Sequence, residues 1–192
     1  YSNGDEIPTG YSNSEWANLS TGAYAVYGDN ESNADTYGYL YNWYAVKTGN
    51  LAPEGWHVAT DAEWTALSDY LGGISVAGGK MKECTPGSCP ESEYWYSPNT
   101  GATNESGFTG FPSGSRSDDG DYGTMGNYGD FWSSTEYSNG SAWSRSLYYN
   151  GSAFTQYWSY DKRMGLSVRC VRDLSDYGWL TMAPTTLTIA SN

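Results

Sequence analysis

Apolar and polar residues alternate over short stretches through much of the chain, and clusters of Gly, Asn, Asp and Ser interrupt them at roughly ten-residue intervals. Side chains on a strand point alternately to its two faces, so this texture predicts short strands over 107–116, 130–135, 142–149, 153–160 and 165–172. A helical period stands out earlier. Trp64, Leu67 and Leu71 recur at helical spacing behind Thr60-Asp61-Ala62-Glu63, which reads as a capping box. Gly72 and Gly73 stop that helix. A second, shorter one is expected over 76–83, where Gly78 and Gly79 each weaken it by about 1 kcal/mol relative to Ala. Upstream, 37–46 (YGYLYNWYAV) reads as an aromatic strand or a short helix, and 55–58 as a strand entering the capped helix. No repeat of solenoid length is present.

Composition narrows the function classes. Aromatic residues make up 17% of the 192-residue chain and charged residues 16%, which is the balance of a folded protein. Twenty-two Asp and Glu against nine Lys and Arg, a net charge of −13, leave no basic patch to hold a phosphate backbone, so nucleic acid is excluded as a partner. No run of the roughly twenty apolar residues that span a bilayer occurs, and membrane insertion is not expected. The start at Tyr1 suggests a mature or excised piece. After Asp173, Ala183-Pro184 and the Thr alternation over 185–189 suggest a linker and the first strand of a following module, giving domains of 1–173 and 174–192.

Candidate chemistry is sparse. Cys84 and Cys89 bracket a Pro86-Gly87 turn, which predicts a small local disulfide. With His57 and Cys170 they equal a Cys3His zinc set in number, but no second closely spaced ligand pair accompanies them. Cys170, between Val168 and Val171, reads as a small buried hydrophobe. The stretch 73–81 fails as a phosphate loop because Gly79 stands where Lys is required. His57 reads as a structural histidine, since no Ser or Cys is marked as its nucleophile. Asp118, Asp119 and Asp121 concentrate hard oxygen ligands on a Gly120 turn and are the candidate calcium ligands, with Asp130 and Glu136 available to complete the shell. The alternative is a solvated loop.

The stretch 133–164 is nearly saturated with Tyr, Ser, Asn, Gly and Trp. This is the composition of recognition surfaces, where rigid aromatic anchors supply contact area and small polar side chains adapt their hydrogen bonds. On the strand over 142–149, Trp143, Arg145, Leu147 and Tyr149 share one face, expected in the core. Ser144, Ser146, Tyr148 and Asn150 share the other, expected to meet solvent or ligand. On the next strand Phe154, Gln156, Trp158 and Tyr160 alternate with Thr155, Tyr157, Ser159 and Asp161. Tyr137, Tyr148, Tyr157 and Trp158 are the expected anchors, Ser144, Ser146 and Asn150 their hydrogen-bonding partners, and Asn139 and Tyr160 complete the candidate ligand-binding set. A merely stabilising set of cross-strand Tyr and Thr pairs would account for the Tyr but not for the Ser, Asn and Gly among them.

Ordered motifs carry a family resemblance. Tyr39-Leu40-Tyr41-Asn42-Trp43-Tyr44-Ala45-Val46, Pro53-Glu54-Gly55-Trp56-His57-Val58 with the capping box, Asn104-Glu105-Ser106-Gly107-Phe108, Phe131-Trp132-Ser133-Ser134-Thr135-Glu136 and Ser167-Val168-Arg169-Cys170-Val171-Arg172 resemble the Fibrobacter succinogenes major paralogous domain, from about Trp16 to Asp173. The resemblance implies an α+β, C-type lectin-like fold akin to the formylglycine-generating-enzyme group, with two helices packed on a twisted antiparallel sheet and long loops. It implies a module of secreted or cell-surface bacterial proteins, beside neighbouring domains of a larger chain. Related lectin-like domains are the variable proteins of diversity-generating retroelements, whose Tyr-, Ser- and Asp-rich variable segments resemble 137–161 here. The family commonly has Cys just before its Pro-x-Gly-Trp motif; Ala52 stands there, leaving Cys170 without that partner. The calcium-lectin motifs Glu-Pro-Asn, Gln-Pro-Asp and Trp-Asn-Asp are absent. The expectation is a non-enzymatic extracellular adhesion module for a protein or glycan on a cell or phage surface. A formylglycine-generating-type enzyme and a passive adhesin spacer are the alternatives.

Overall fold

The computed structural model describes residues 1–173, apart from the side chains of Trp158 and Ser159. The linker and following module expected over 174–192 lie outside the described residues.

The chain is mixed α+β. Its first part carries α1 (Asn13–Trp16), β1 (Tyr24–Ala25), α2 (Ala34–Tyr37), β2 (Leu40–Tyr41), α3 (Trp43–Lys47) and β3 (Trp56–Val58). The two longer helices follow, α4 (Asp61–Tyr70) and α5 (Ile74–Met81), and then β4 (Ser115–Arg116), β5 (Tyr122–Gly123), β6 (Tyr128–Glu136), β7 (Ser141–Tyr148), β8 (Phe154–Asp161) and β9 (Cys170–Arg172). All ladders between these strands are antiparallel: β1 with β2, β3 with β9, β4 with β5, and the meander β6-β7-β8.

Local chemistry explains the boundaries. The capping box forms as the sequence predicts, with the Glu63 amide donating to Thr60 Oγ1 at 3.3 Å and the Thr60 amide donating to Glu63 Oε2 at 2.8 Å. The aromatic run 37–46 divides because Asn42 Oδ1 accepts from the amides of Ala45 (3.1 Å) and Ala23 (3.0 Å), capping α3 while ending β2. The helix expected over 76–83 begins two residues earlier. Its glycines have a packing reason: a Cβ on Gly78 would lie 2.2 Å from the Ala153 carbonyl oxygen, and one on Gly79 2.4 Å from that of Gly101. The predicted strand 107–116 reduces to β4 and isolated bridges, and in 165–172 only β9 forms a ladder, because Gly165, Leu166 and Ser167 bridge Arg116, Tyr41 and Phe131 in turn.

The meander is covered on one face by α4 and α5, where Trp64, Leu71, Ala77 and Met81 meet Phe131, Leu147 and Phe154. The opposite face is covered at one end by α3, through Trp43 and Val46 against Trp132, Ala142 and Leu166. Buried lysines pin both ends of the hairpins. Lys82 Nζ spends its three donors on the carbonyls of Thr100 (3.0 Å), Tyr148 (2.7 Å) and Gly151 (3.0 Å), while burial pushes its pKa down to about 8. Lys162 Nζ pairs with Glu136, donates to the Asn139 carbonyl at 2.7 Å and lies 4.8 Å from the Trp43 ring centre.

Candidate functional site: a tyrosine face on the meander

The pairing register assembles the site. Tyr128 lies opposite Tyr148, Asp130 opposite Ser146 and Trp132 opposite Ser144. On the other side of β7, Ser146 faces Thr155 and Ser144 faces Tyr157. Cross-strand partners share a face, so these side chains form one surface. Between Ala142 and Ser144 the register shifts: β8 advances from Tyr157 to Tyr160 while β7 moves two positions. This bulge brings Tyr160 to the same face as Tyr157, whereas simple alternation placed it with Phe154 and Gln156. Their rings stack at 5.4 Å and 13°.

Four half-buried tyrosines frame this face. Tyr128 meets Tyr148 edge-on at 5.0 Å, the hydroxyls of Tyr148 and Tyr157 share a hydrogen bond, and Tyr157 stacks on Tyr160. Beneath them Asp130, 3% exposed, accepts a hydrogen bond from Ser146 Oγ. Burial pushes the Asp130 pKa up to about 6 against the lowering effect of that bond. Burial also raises the phenol pKa of Tyr148, helped by its Tyr157 partner, and that of Tyr160, helped by the Asp130 charge. Both phenols therefore remain protonated donors near neutral pH.

The expected ligand-binding residues divide. Tyr148, Tyr157 and Tyr160 belong to this frame. Ser144 and Ser146 share its face but are fully buried, which corrects the expectation that they meet ligand. The physical reason is their neighbours: Ser144 lies between Trp132 and Tyr157, and Ser146 between Asp130 and Thr155, so larger side chains overhang both hydroxyls. Tyr137 and Asn139 are exposed in the β6–β7 turn, where the Tyr137 ring meets Trp143 at 5.2 Å. Asn150 is exposed in the β7–β8 turn, at the opposite end of β7. Eight residues of strand separate the turns by roughly 25 Å, so the candidates do not form one patch. The Trp158 side chain lies outside the described residues. On the helix-facing side Leu147 is buried as expected, and Arg145 is held there by Asp61 (2.7 Å) and Thr65 (2.9 Å) of α4. Tyr128 was not among the expected residues; its position opposite Tyr148 was the missing signal, and it follows only from the register.

The acidic loop does not converge. Asp118 pairs with Arg163 at 3.2 Å, Asp119 accepts from Ser117 Oγ and the Asp121 amide, and Asp121 accepts from Asn13 Nδ2. Asp130 and Glu136, expected to complete a calcium shell, are engaged instead by Ser146 and Lys162. Among the described residues, no group of three His, Cys, Asp or Glu side chains is arranged to hold a metal ion. Cys84 and Cys89 are joined in a disulfide, and Cys170 is a half-buried free thiol. His57 bridges Asp173 (2.6 Å) and Glu63 (2.8 Å), and those hydrogen bonds, Asp173 first, raise its pKa against a partial desolvation penalty. It ties β3 and the α4 cap to the end of β9.

The sequence profile of the Fibrobacter succinogenes major domain matches residues 1–172. The chain belongs to that family. No curated protein and no solved structure matches it. The family motifs named above lock one another through their tryptophans: Trp43 Nε1 donates to the Ser133 carbonyl at 2.9 Å, Trp64 Nε1 to that of Trp132 at 3.3 Å, and Trp132 Nε1 to that of Tyr41 at 2.8 Å. These motifs form the scaffold of this major domain. Tyr148, Tyr157 and Tyr160 lie outside them.

Proposed function

We propose that this domain is a non-enzymatic recognition module of a secreted or cell-surface protein, on a C-type lectin-like scaffold, and that the tyrosine face of the meander binds a protein or glycan ligand. The observation that carries the reading is the frame of Tyr128, Tyr148, Tyr157 and Tyr160, built on one sheet face and braced by Lys82 and Lys162. Rings held by ring and hydroxyl contacts lose little conformational entropy on binding, so more of the contact energy appears as affinity. Neighbouring domains of a longer chain would present this face. The alternative of a formylglycine-generating-type enzyme, whose chemistry resembles a copper-dependent site built on a pair of cysteines, finds little support, because Cys84 and Cys89 are bonded to each other across their own turn. A retroelement-diversified module would vary at Tyr148, Asn150 and Tyr157 rather than at the enclosed Ser144 and Ser146.

The test is a screen of the full chain on glycan and surface-protein arrays. Tyr148→Ala and Tyr157→Ala should each weaken the strongest hit by about tenfold or more while the protein retains a cooperative melt. Hits that survive both substitutions in folded protein, or retention of nothing on either array, would overturn the proposal, the second outcome favouring a passive spacer.

A further inference from the structure

A second cleft lies on the β1–β2 ribbon, outside the meander. Tyr24 and Tyr41 are cross-strand partners there, and Tyr39 leans against both. The ring centres are 5.1 Å apart for Tyr24 and Tyr39, 6.1 Å for Tyr24 and Tyr41, and 6.3 Å for Tyr39 and Tyr41. The segment from Asp5 to Thr9 forms the facing wall, anchored to β1 by the Tyr24 amide donating to the Pro8 carbonyl at 3.0 Å. The cleft is a shallow groove open to solvent, with about 710 Å³ of space along it, enough for a small organic group. Its lining includes the acidic residues Asp5 and Glu6 and no Lys or Arg; the one cation on it is the Tyr1 ammonium, which donates to the Asp5 main-chain carbonyl at 2.9 Å, while Asn3 Nδ2 donates to the Asp5 carboxylate at 2.8 Å.

Those features select a charge. The face of an aromatic ring is the negative end of its quadrupole, so three adjacent phenol rings opposite two exposed carboxylates favour a cation and disfavour an anion. The chain uses the same chemistry internally, with Arg116 4.4 Å from the Trp16 ring centre and Arg169 4.9 Å from that of Phe108. Its surroundings reinforce the preference. Of the nine Lys and Arg residues, Lys82, Lys162, Arg116 and Arg145 are buried, which leaves the surface of a chain of charge −13 short of competing cations.

We infer that this cleft is a binding site for an organic cation, a quaternary ammonium or a guanidinium, seated against Tyr24, Tyr39 and Tyr41 and neutralised by Asp5 and Glu6. The inference concerns a different surface from the tyrosine face and stands or falls apart from it.

Titration of the isotope-labelled full chain with choline and with acetyl-arginine amide, followed by backbone amide shifts, tests it. Saturable shifts confined to 5–9, 24 and 39–41 are expected, and the stronger of the two probes identifies the source of the cation. Tyr39→Ala, at a 42% exposed position, should weaken binding about fivefold, as should the paired change Asp5→Asn with Glu6→Gln. Tyr157→Ala should leave it unchanged. Dimethylbutanol, the uncharged isostere of choline, should bind at least about fivefold more weakly. Equal binding of the isostere, shifts that potassium chloride reproduces at the same ionic strength, or no saturable shift with either cation would overturn the proposal.

Discussion

Asp130 is the side chain on which the chemistry of the tyrosine face turns. Its folded-state pKa, pushed to about 6 by burial, lies above the value near 3.9 of an unfolded chain. Between those values the native state binds the proton more tightly than the unfolded state, so the stability this carboxyl contributes is present in acid and declines as pH rises from about 4 through about 6. Near neutrality the buried carboxylate therefore costs up to about 3 kcal/mol. Asp130→Asn keeps an acceptor for Ser146 Oγ and removes the charge. Its melting temperature should exceed that of the parent at pH near 7.5, and the gain should vanish near pH 4. Melts of both proteins across that range check this, and a pH-independent difference would assign the effect to packing instead.

The contact between α5 and the β7–β8 hairpin shows why element propensity alone misleads. Gly→Ala in a free helix is stabilising by about 1 kcal/mol. At Gly78 the added methyl would meet the Ala153 carbonyl at 2.2 Å for oxygen and 2.6 Å for carbon, and backbone cannot rotate away as a side chain can. Gly78→Ala should therefore destabilise the domain by about 1 to 3 kcal/mol, the usual range for overpacking. Urea unfolding measures it as a lower midpoint with unchanged slope. A raised midpoint would mean that helix and hairpin part without cost. The β8 bulge has the opposite character: it is a small irregularity that builds something, because the register shift brings Tyr157 and Tyr160 into one stack.

For the molecule as a whole, charge is the dominant long-range term. A chain of net charge −13 that buries four of its nine cations carries a strongly acidic exterior whose self-repulsion works against the compact state. Salt at about 0.5 M shortens the screening length to a few ångströms, so the melting temperature at neutral pH should rise with added sodium chloride. A fall would show instead that exposed pairs such as Lys80 with Glu105 outweigh the repulsion. The same field bears on association: cationic partners are steered inward, and acidic ones are turned away.

The sequence by itself determined the locally encoded features: the capped helix at Thr60, the strands β6 to β8, the Cys84–Cys89 loop and the family motifs. The first three rest on contacts between residues close in the chain or on a period that a strand or helix imposes, and so are written in order along the sequence; the family motifs are legible only through resemblance, since the tryptophan hydrogen bonds that join them span 68 to 91 positions. Tertiary structure alone decided which late hydroxyls are reachable. Alternation correctly grouped Ser144, Ser146 and Tyr148, but their exposure depends on the bulk of cross-strand neighbours, and those neighbours depend on register. Only the folded pairing placed Tyr128 beside Tyr148, moved Tyr160 across the sheet through a bulge, and sealed Asp130 beneath them. The cleft of Tyr24, Tyr39 and Tyr41 was equally hidden, since its walls come from separate segments that the chain joins only when β1 and β2 meet.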